Sequence, residues 1–110
     1  MLASPLPDVQ PAIDTLREGV KTIYGARLKG LILFGSRARG DARPDSDIDI
    51  AVILDQVVDR GRERALLSDL RAQIHLHSEL FISFLFLTPE QLRDGERLLY
   101  RNIRSEGVQL

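Results

Sequence analysis

The chain has 110 residues, of which 44% are hydrophobic and 28% charged, with no cysteine and a formal net charge of −1. This length suits a single domain over 1–110 with one modest core, and the composition excludes a disordered chain. The lack of cysteine excludes disulfides and thiolate metal sites. The near-neutral charge excludes a global field for nucleic acid or membrane, so any phosphate-binding surface must be local.

The opening MLASPLPDVQP has no basic region followed by an apolar stretch, as a signal peptide would. The longest apolar run, 80–87, falls far short of the ~20 residues that a membrane helix needs. A cytoplasmic location without membrane contact is expected.

Residues 1–7 are expected to fray. Val9, Ile13, Leu16, Val20, Ile23 and Tyr24 recur at spacings of three and four, which predicts an amphipathic helix. Asp8 is its expected N-cap, Pro11 fits the first turn and Gly25 marks the stop. Leu28 to Phe34 reads as a buried strand closed by Gly35. Ser36 to Asp45 reads as a loop with room for one helical turn. Asp47 to Leu54 alternates acid with apolar and then becomes wholly apolar, which predicts a strand buried along most of its length.

Arg60 to about His77 is a second helix with an apolar face of Leu66, Leu67, Leu70 and Ile74, and Leu80 to Leu87 a third strand. Thr88, Pro89 and Gln91 form a capping box. The stripe Leu92, Leu99, Ile103 then carries one helix to Ser105, with Gly107 after its end. The order helix, strand, strand, helix, strand, helix predicts an α/β (α+β) fold, a small mixed sheet with helices packed on it. The first two strands are expected to be antiparallel, because the loop between them is too short for an ordinary crossover helix.

The segment with chemical content is FGSRARGDARPDSDIDIAV, residues 34–52. Asp47 and Asp49, two apart on a strand, leave the same face with Cα atoms roughly 6.5 Å apart. Two such carboxylates repel unless a cation lies between them, and hard oxygen ligands favour Mg²⁺ or Mn²⁺. Asp49 lies in an otherwise apolar strand, where an unpaired carboxylate costs several kcal/mol and demands a partner. Across an antiparallel hairpin, Gly35 would let a phosphate approach the backbone, and Ser36 would offer a hydroxyl and an N–H. Arg37, Arg39 and Arg43 add guanidinium groups able to grip a triphosphate. Taken singly, each feature also has a purely structural reading: a strand start, a turn, a solvated loop.

Gly35-Ser36, ten intervening residues and Asp47-Ile48-Asp49 resemble the signature of the DNA polymerase β-type nucleotidyltransferase superfamily. The fuller string is similar to that of its minimal nucleotidyltransferases (MNT). The resemblance implies that Gly35 and Ser36, with Arg37 and Arg39, bind the nucleotide, and that Asp47 and Asp49 hold Mg²⁺. It implies transfer of a nucleoside monophosphate, AMP from ATP, to a hydroxyl. It also implies a small helical HEPN-type partner in a toxin–antitoxin pair. Family enzymes carry a third carboxylate on the strand after the second helix, where this chain has Ser83. Glu79 is the nearest acid, either a substitute or a helix-end residue. The alternative is therefore an MNT-fold antitoxin or nucleotide-binding module that neutralises a partner by contact.

His75 and His77 fall on nearly opposite sides of a helix and suit its C-terminal dipole better than a metal. Arg93, Arg97, Arg101 and Arg104 are expected on one side of the last helix, as a solvated face or a docking surface. Tyr24 and Tyr100 are expected at the domain surface. Phe81, Phe84 and Phe86 are expected in the core, an outward Phe81 or Phe84 marking a subunit interface in a homo-oligomer. A stand-alone nucleic-acid binder is not expected, for want of net positive charge.

Overall fold

The computed structural model describes residues 9–110, so the expectations for residues 1–7 and for the side chain of Asp8 lie outside it. Helix α1 covers Gln10–Tyr24 with Pro11 in its first turn; Val9, not Asp8, takes the N-cap position. Gly25, at φ 54°, ends the helix into a 3-10 turn, Gly25–Arg27. Strand β1 is Leu28–Phe34, α2 the short turn Ser36–Arg39 and β2 Ile48–Leu54. Helix α3 spans Arg60–Ser78 and strand β3 Ile82–Leu87.

The sheet order is β3-β2-β1 with a fourth strand, β4 (Val108–Gln109), on the far side of β1. β1 and β2 are antiparallel, with Phe34 opposite Asp49, and β2 and β3 are parallel, with Asp49 opposite Ser83. The parallel pair needs a crossover, which α3 supplies. Alternation along β2 sends Ile48, Ile50, Val52 and Leu54 into a core with α1 and α3. Ala51 and Ile53 face the second layer, where Tyr100 and Ile103 cover them. Asp49 shares that second face at the end those residues leave open.

Five expectations need correction. The capping box at Thr88 forms as expected, but α4 ends at Asp94 and a separate α5 begins at Leu98. A Cβ on Gly95 would collide with the Tyr100 ring and the Gln91 carbonyl, so the chain turns where the ring packs against it. Arg104 lies across the break, donating to Leu92 O at 2.7 Å and Gly95 O at 3.0 Å, and the arginines do not form one helical stripe. Leu66 is 47% exposed, because Glu63, Leu67, Leu70 and Ile74 make the buried stripe and Leu66 sits about 70° from its centre. Tyr24 and Tyr100 are buried, and Phe81 is exposed and stacked on His75 with ring centroids 4.1 Å apart.

Glu63 is the one buried charged residue among those described. Arg27 donates to it at 2.6 and 3.3 Å, and the Tyr24 hydroxyl donates at 3.4 Å. Burial first, and then the Glu63 charge, push the Tyr24 phenol up to about 12. Glu63→Ala should cost about 1–3 kcal/mol in denaturant unfolding, by removing the acceptor of the Arg27 guanidinium and leaving the Tyr24 hydroxyl with the residue-63 main-chain carbonyl alone, at 3.4 Å. The cost stays below that of breaking a fully buried ion pair because the Arg27 side chain is 40% exposed and can regain water.

Candidate nucleotide and cation site

β1 ends at Phe34, and the next residue takes φ 75° and ψ −157°, a backbone region that side chains resist. A Cβ at Gly35 would also collide with Asp49 Oδ2, its Cγ lying 3.1 Å away. The glycine is thus required twice, by its dihedrals and by the carboxylate beneath it. Ser36 opens α2, and its hydroxyl makes no hydrogen bond among the described residues. Gly40, in the left-handed region at φ 85°, closes that turn.

Arg37 turns back into the loop. Its Nη2 and Nε donate to Ser46 O at 2.8 and 3.2 Å, and Nη2 also reaches Pro44 O at 3.4 Å. Arg43 N–H donates to Ser46 Oγ at 2.9 Å and Ser46 N–H to Arg43 O at 3.0 Å. Ser46 is consequently held from two directions next to Asp47. Arg39 pairs with Asp41 and with Glu106 of α5, both at 3.3 Å, and its charge reaches Asp49.

Asp49 is half-buried, yet among the described residues it accepts no hydrogen bond and makes no ion pair. Burial, and then the negative charge of Asp47, hold its carboxyl above the ordinary carboxylate range; Arg39 offsets this in part. Asp47 is exposed and sits one residue before β2 begins. Two carboxylates that interact through their charges, neither in an ion pair among the described residues and only partly offset by Arg39, beside a bend cleared of side chain, are a donor set that a hard divalent cation satisfies. A hollow of about 580 Å³ between Arg37, Pro44, Val9 and His77 lies behind the loop and includes neither carboxylate.

The profile of the nucleotidyltransferase domain family matches residues 13–108. The chain belongs to that family. A candidate protein adenylyltransferase of Methanocaldococcus jannaschii, MJ0604, is 46% identical over 46 residues, an alignment spanning 42% of this chain and 46% of that protein. The chain thus covers under half the length of this curated relative.

Among solved structures, a toxin–antitoxin with AMP-PNP superposes at a TM-score of 0.62 with 21% identity, covering 87% of this chain and 69% of that one. A candidate nucleotidyltransferase of Sulfolobus solfataricus gives 0.61 with 18% identity, covering 99% and 87%. The complex of a tri-AMPylated Shewanella oneidensis HEPN toxin with MNT antitoxin gives 0.54 with 20% identity, covering 96% and 71%. At these identities the three superpositions establish a shared fold.

Within this nucleotidyltransferase domain, Gly35, Ser36, Asp49 and Arg39 gather around one end of the β1–β2 hairpin. Asp47 stands at the rim, and Arg37 is engaged with loop carbonyls. Ser83 occupies the strand position opposite Asp49, on the same face. Glu79 is an exposed residue in the left-handed C-cap of α3, at φ 61°, three residues ahead of β3. No group of three metal-ligating side chains occurs among the described residues. Sequence reasoning missed Glu106, which tethers Arg39 from 67 positions away; no local signal points to it. No helix of the described residues is long and apolar enough to cross a membrane.

Proposed function

We propose that this domain transfers AMP from ATP to a hydroxyl of a partner protein, the partner being a small helical HEPN-type protein. The observation that carries the reading is Asp49: half-buried, without an ion pair or hydrogen bond among the described residues, raised in proton affinity by burial and then by Asp47, and pressed against a glycine with no room for a side chain. The names of its relatives, an adenylyltransferase candidate and an AMPylated HEPN toxin held by an MNT antitoxin, support the choice of nucleotide and acceptor.

In this reading Gly35 and Ser36 seat the phosphates, the glycine through its bare backbone and the serine through its free hydroxyl. Arg39 lends positive charge from the flank, while Arg37 fixes the Ser46 carbonyl and so positions Asp47 without touching substrate. Asp47 and Asp49 would hold Mg²⁺ or Mn²⁺. When bound, the ion neutralises triphosphate charge and polarises the α-phosphate. The acceptor oxygen bonds to the α-phosphorus, the bond to the α–β bridging oxygen breaks, pyrophosphate departs and the hydroxyl proton leaves to water. Positioning and charge complementarity carry such catalysis.

Ser83 in the slot opposite Asp49 favours a second reading, in which the domain binds nucleotide and neutralises its partner by contact alone. One titration and one transfer assay separate the two. ATP with Mn²⁺ should bind saturably and lose at least ten-fold in affinity in Asp47→Asn. Label from α-labelled ATP should pass to a co-purified helical partner. Neutralisation that survives in the Asp47→Asn, Asp49→Asn double variant, with no label on the partner of the native protein, would replace the first reading by the second.

A further inference from the structure

β3 is the outer strand of the sheet, and no strand pairs with its far side among the described residues. Ile48 N–H donates to Phe81 O at 2.8 Å, which sets the residues whose backbone faces β2 as Phe81, Ser83 and Leu85. By alternation, the N–H and C=O groups of Ile82, Phe84 and Phe86 point outward along the free edge. A groove of about 450 Å³ follows that edge, lined by Asp47, Ser83 and Phe81 at one end and by Arg71, Arg64 and His75 of α3 along its side. Neither arginine pairs with a carboxylate among the described residues. Arg64 instead lies over the Phe86 ring at 5.7 Å from its centroid, and the exposed Phe81 ring stacks on His75.

We infer that this groove receives the acceptor, as an extended acidic segment of the partner protein added alongside β3. The inference rests on the transferase reading, since it assigns the groove to the acceptor because Asp47 lies at its end. The Gly35 bend, and with it the nucleotide, lies on the β1 side of Asp49, whereas β3 lies on the other side. An acceptor hydroxyl arriving along β3 therefore meets Asp47 from the side opposite the triphosphate, as displacement at phosphorus with pyrophosphate leaving requires. Arg64 and Arg71 are two helical turns apart, about 10.5 Å, the span of three to four extended residues. They would read acidic side chains placed to one side of the hydroxyl-bearing residue.

Two other occupants fit less well. A second copy pairing edge to edge would bring both sets of arginines together without counter-charge. A nucleic-acid end would use the arginines but leave the outward backbone groups of β3 unsatisfied.

The probe is a fluorescent extended peptide alternating glutamate with valine and ending in one tyrosine, measured by anisotropy against the full chain. It should bind saturably. Affinity should fall at least ten-fold in Arg64→Glu, Arg71→Glu, and equally for a peptide with N-methylated backbone or with lysine in place of glutamate. ATP–Mn²⁺ affinity should be unchanged in the same variant, whose substituted side chains are exposed. Equal binding by native protein and variant, absence of peptide binding while ATP–Mn²⁺ still binds, or tighter binding of an oligouridine than of the peptide would overturn the inference. Peptide binding with the expected losses but no ATP–Mn²⁺ binding would leave the docking surface standing and remove the transferase reading.

Discussion

Asp49→Asn should lower transfer of labelled AMP by at least about 10³-fold, and at the same time raise the melting temperature of the nucleotide-free protein at pH 7. In the proposed reading the first effect is the loss of a carboxylate that holds the cation neutralising the triphosphate. The second follows from the direction in which the fold moves Asp49. Its carboxyl is raised by burial and by Asp47, so the folded state holds its proton more tightly than the unfolded chain does. Stability then falls as pH rises from the ordinary carboxylate range through the raised folded value, and the penalty is complete above it. Asparagine removes the penalty, so the stability difference should be largest near neutral pH and shrink on acidification. Mn²⁺ should raise the melting temperature of the native protein and leave that of the variant nearly unmoved. A variant that melts below the native protein at pH 7 and retains transfer would contradict both the site and the account of its charge.

Gly35→Ala should cost about 1–3 kcal/mol in denaturant unfolding, since alanine resists the backbone angles at that position. It should also weaken ATP–Mn²⁺ binding at least ten-fold, because the new methyl group and the Asp49 carboxylate cannot share the same space. The two causes separate in a double-mutant cycle with Asp49→Ala. Removing the carboxylate relieves the collision but not the dihedral strain, so Gly35→Ala should cost less stability in the Asp49→Ala background than in the native protein. Strict additivity would mean that the methyl group finds room elsewhere, and a Gly35→Ala protein as stable as the native one would show that the bend is not under the constraint described.

The hairpin that carries the site was legible in the sequence because its information is local. A glycine at a strand end, a short polar loop and an apolar run after it fix the bend and the antiparallel pairing together, although Asp47 falls one residue short of the strand expected to hold it. The register that sets Ser83 against Asp49 was also within reach, by counting back from the capping box at Thr88. What escaped depends on contacts distant in the chain. Arg37 carries the same charge as Arg39 and lies two residues away, yet one holds loop carbonyls and the other bridges to α5, which only the path of the loop decides. The apolar rhythm of Leu92, Leu99 and Ile103 runs through Gly95 without interruption, so the break appears only once the Tyr100 ring is seated. β4 is two residues long, and its pairing with β1 leaves no periodic trace. Glu63 occupies a core position in α3 that an apolar residue would be expected to fill, and only the arrival of Arg27 accounts for it.

The two acids do not share the same footing. Asp49 belongs to an inner strand, flanked by β1 and β3, and its main chain cannot shift without disturbing both neighbours. Asp47 precedes that strand, and on its loop side it hangs from Ser46, whose carbonyl is held by the guanidinium of Arg37. One acid is a fixed post and the other an adjustable arm, so the gap between them can be tuned by editing the loop while the sheet stays as it is. In the proposed reading, the loop thereby sets how tightly a cation is gripped without any change in the two acids themselves.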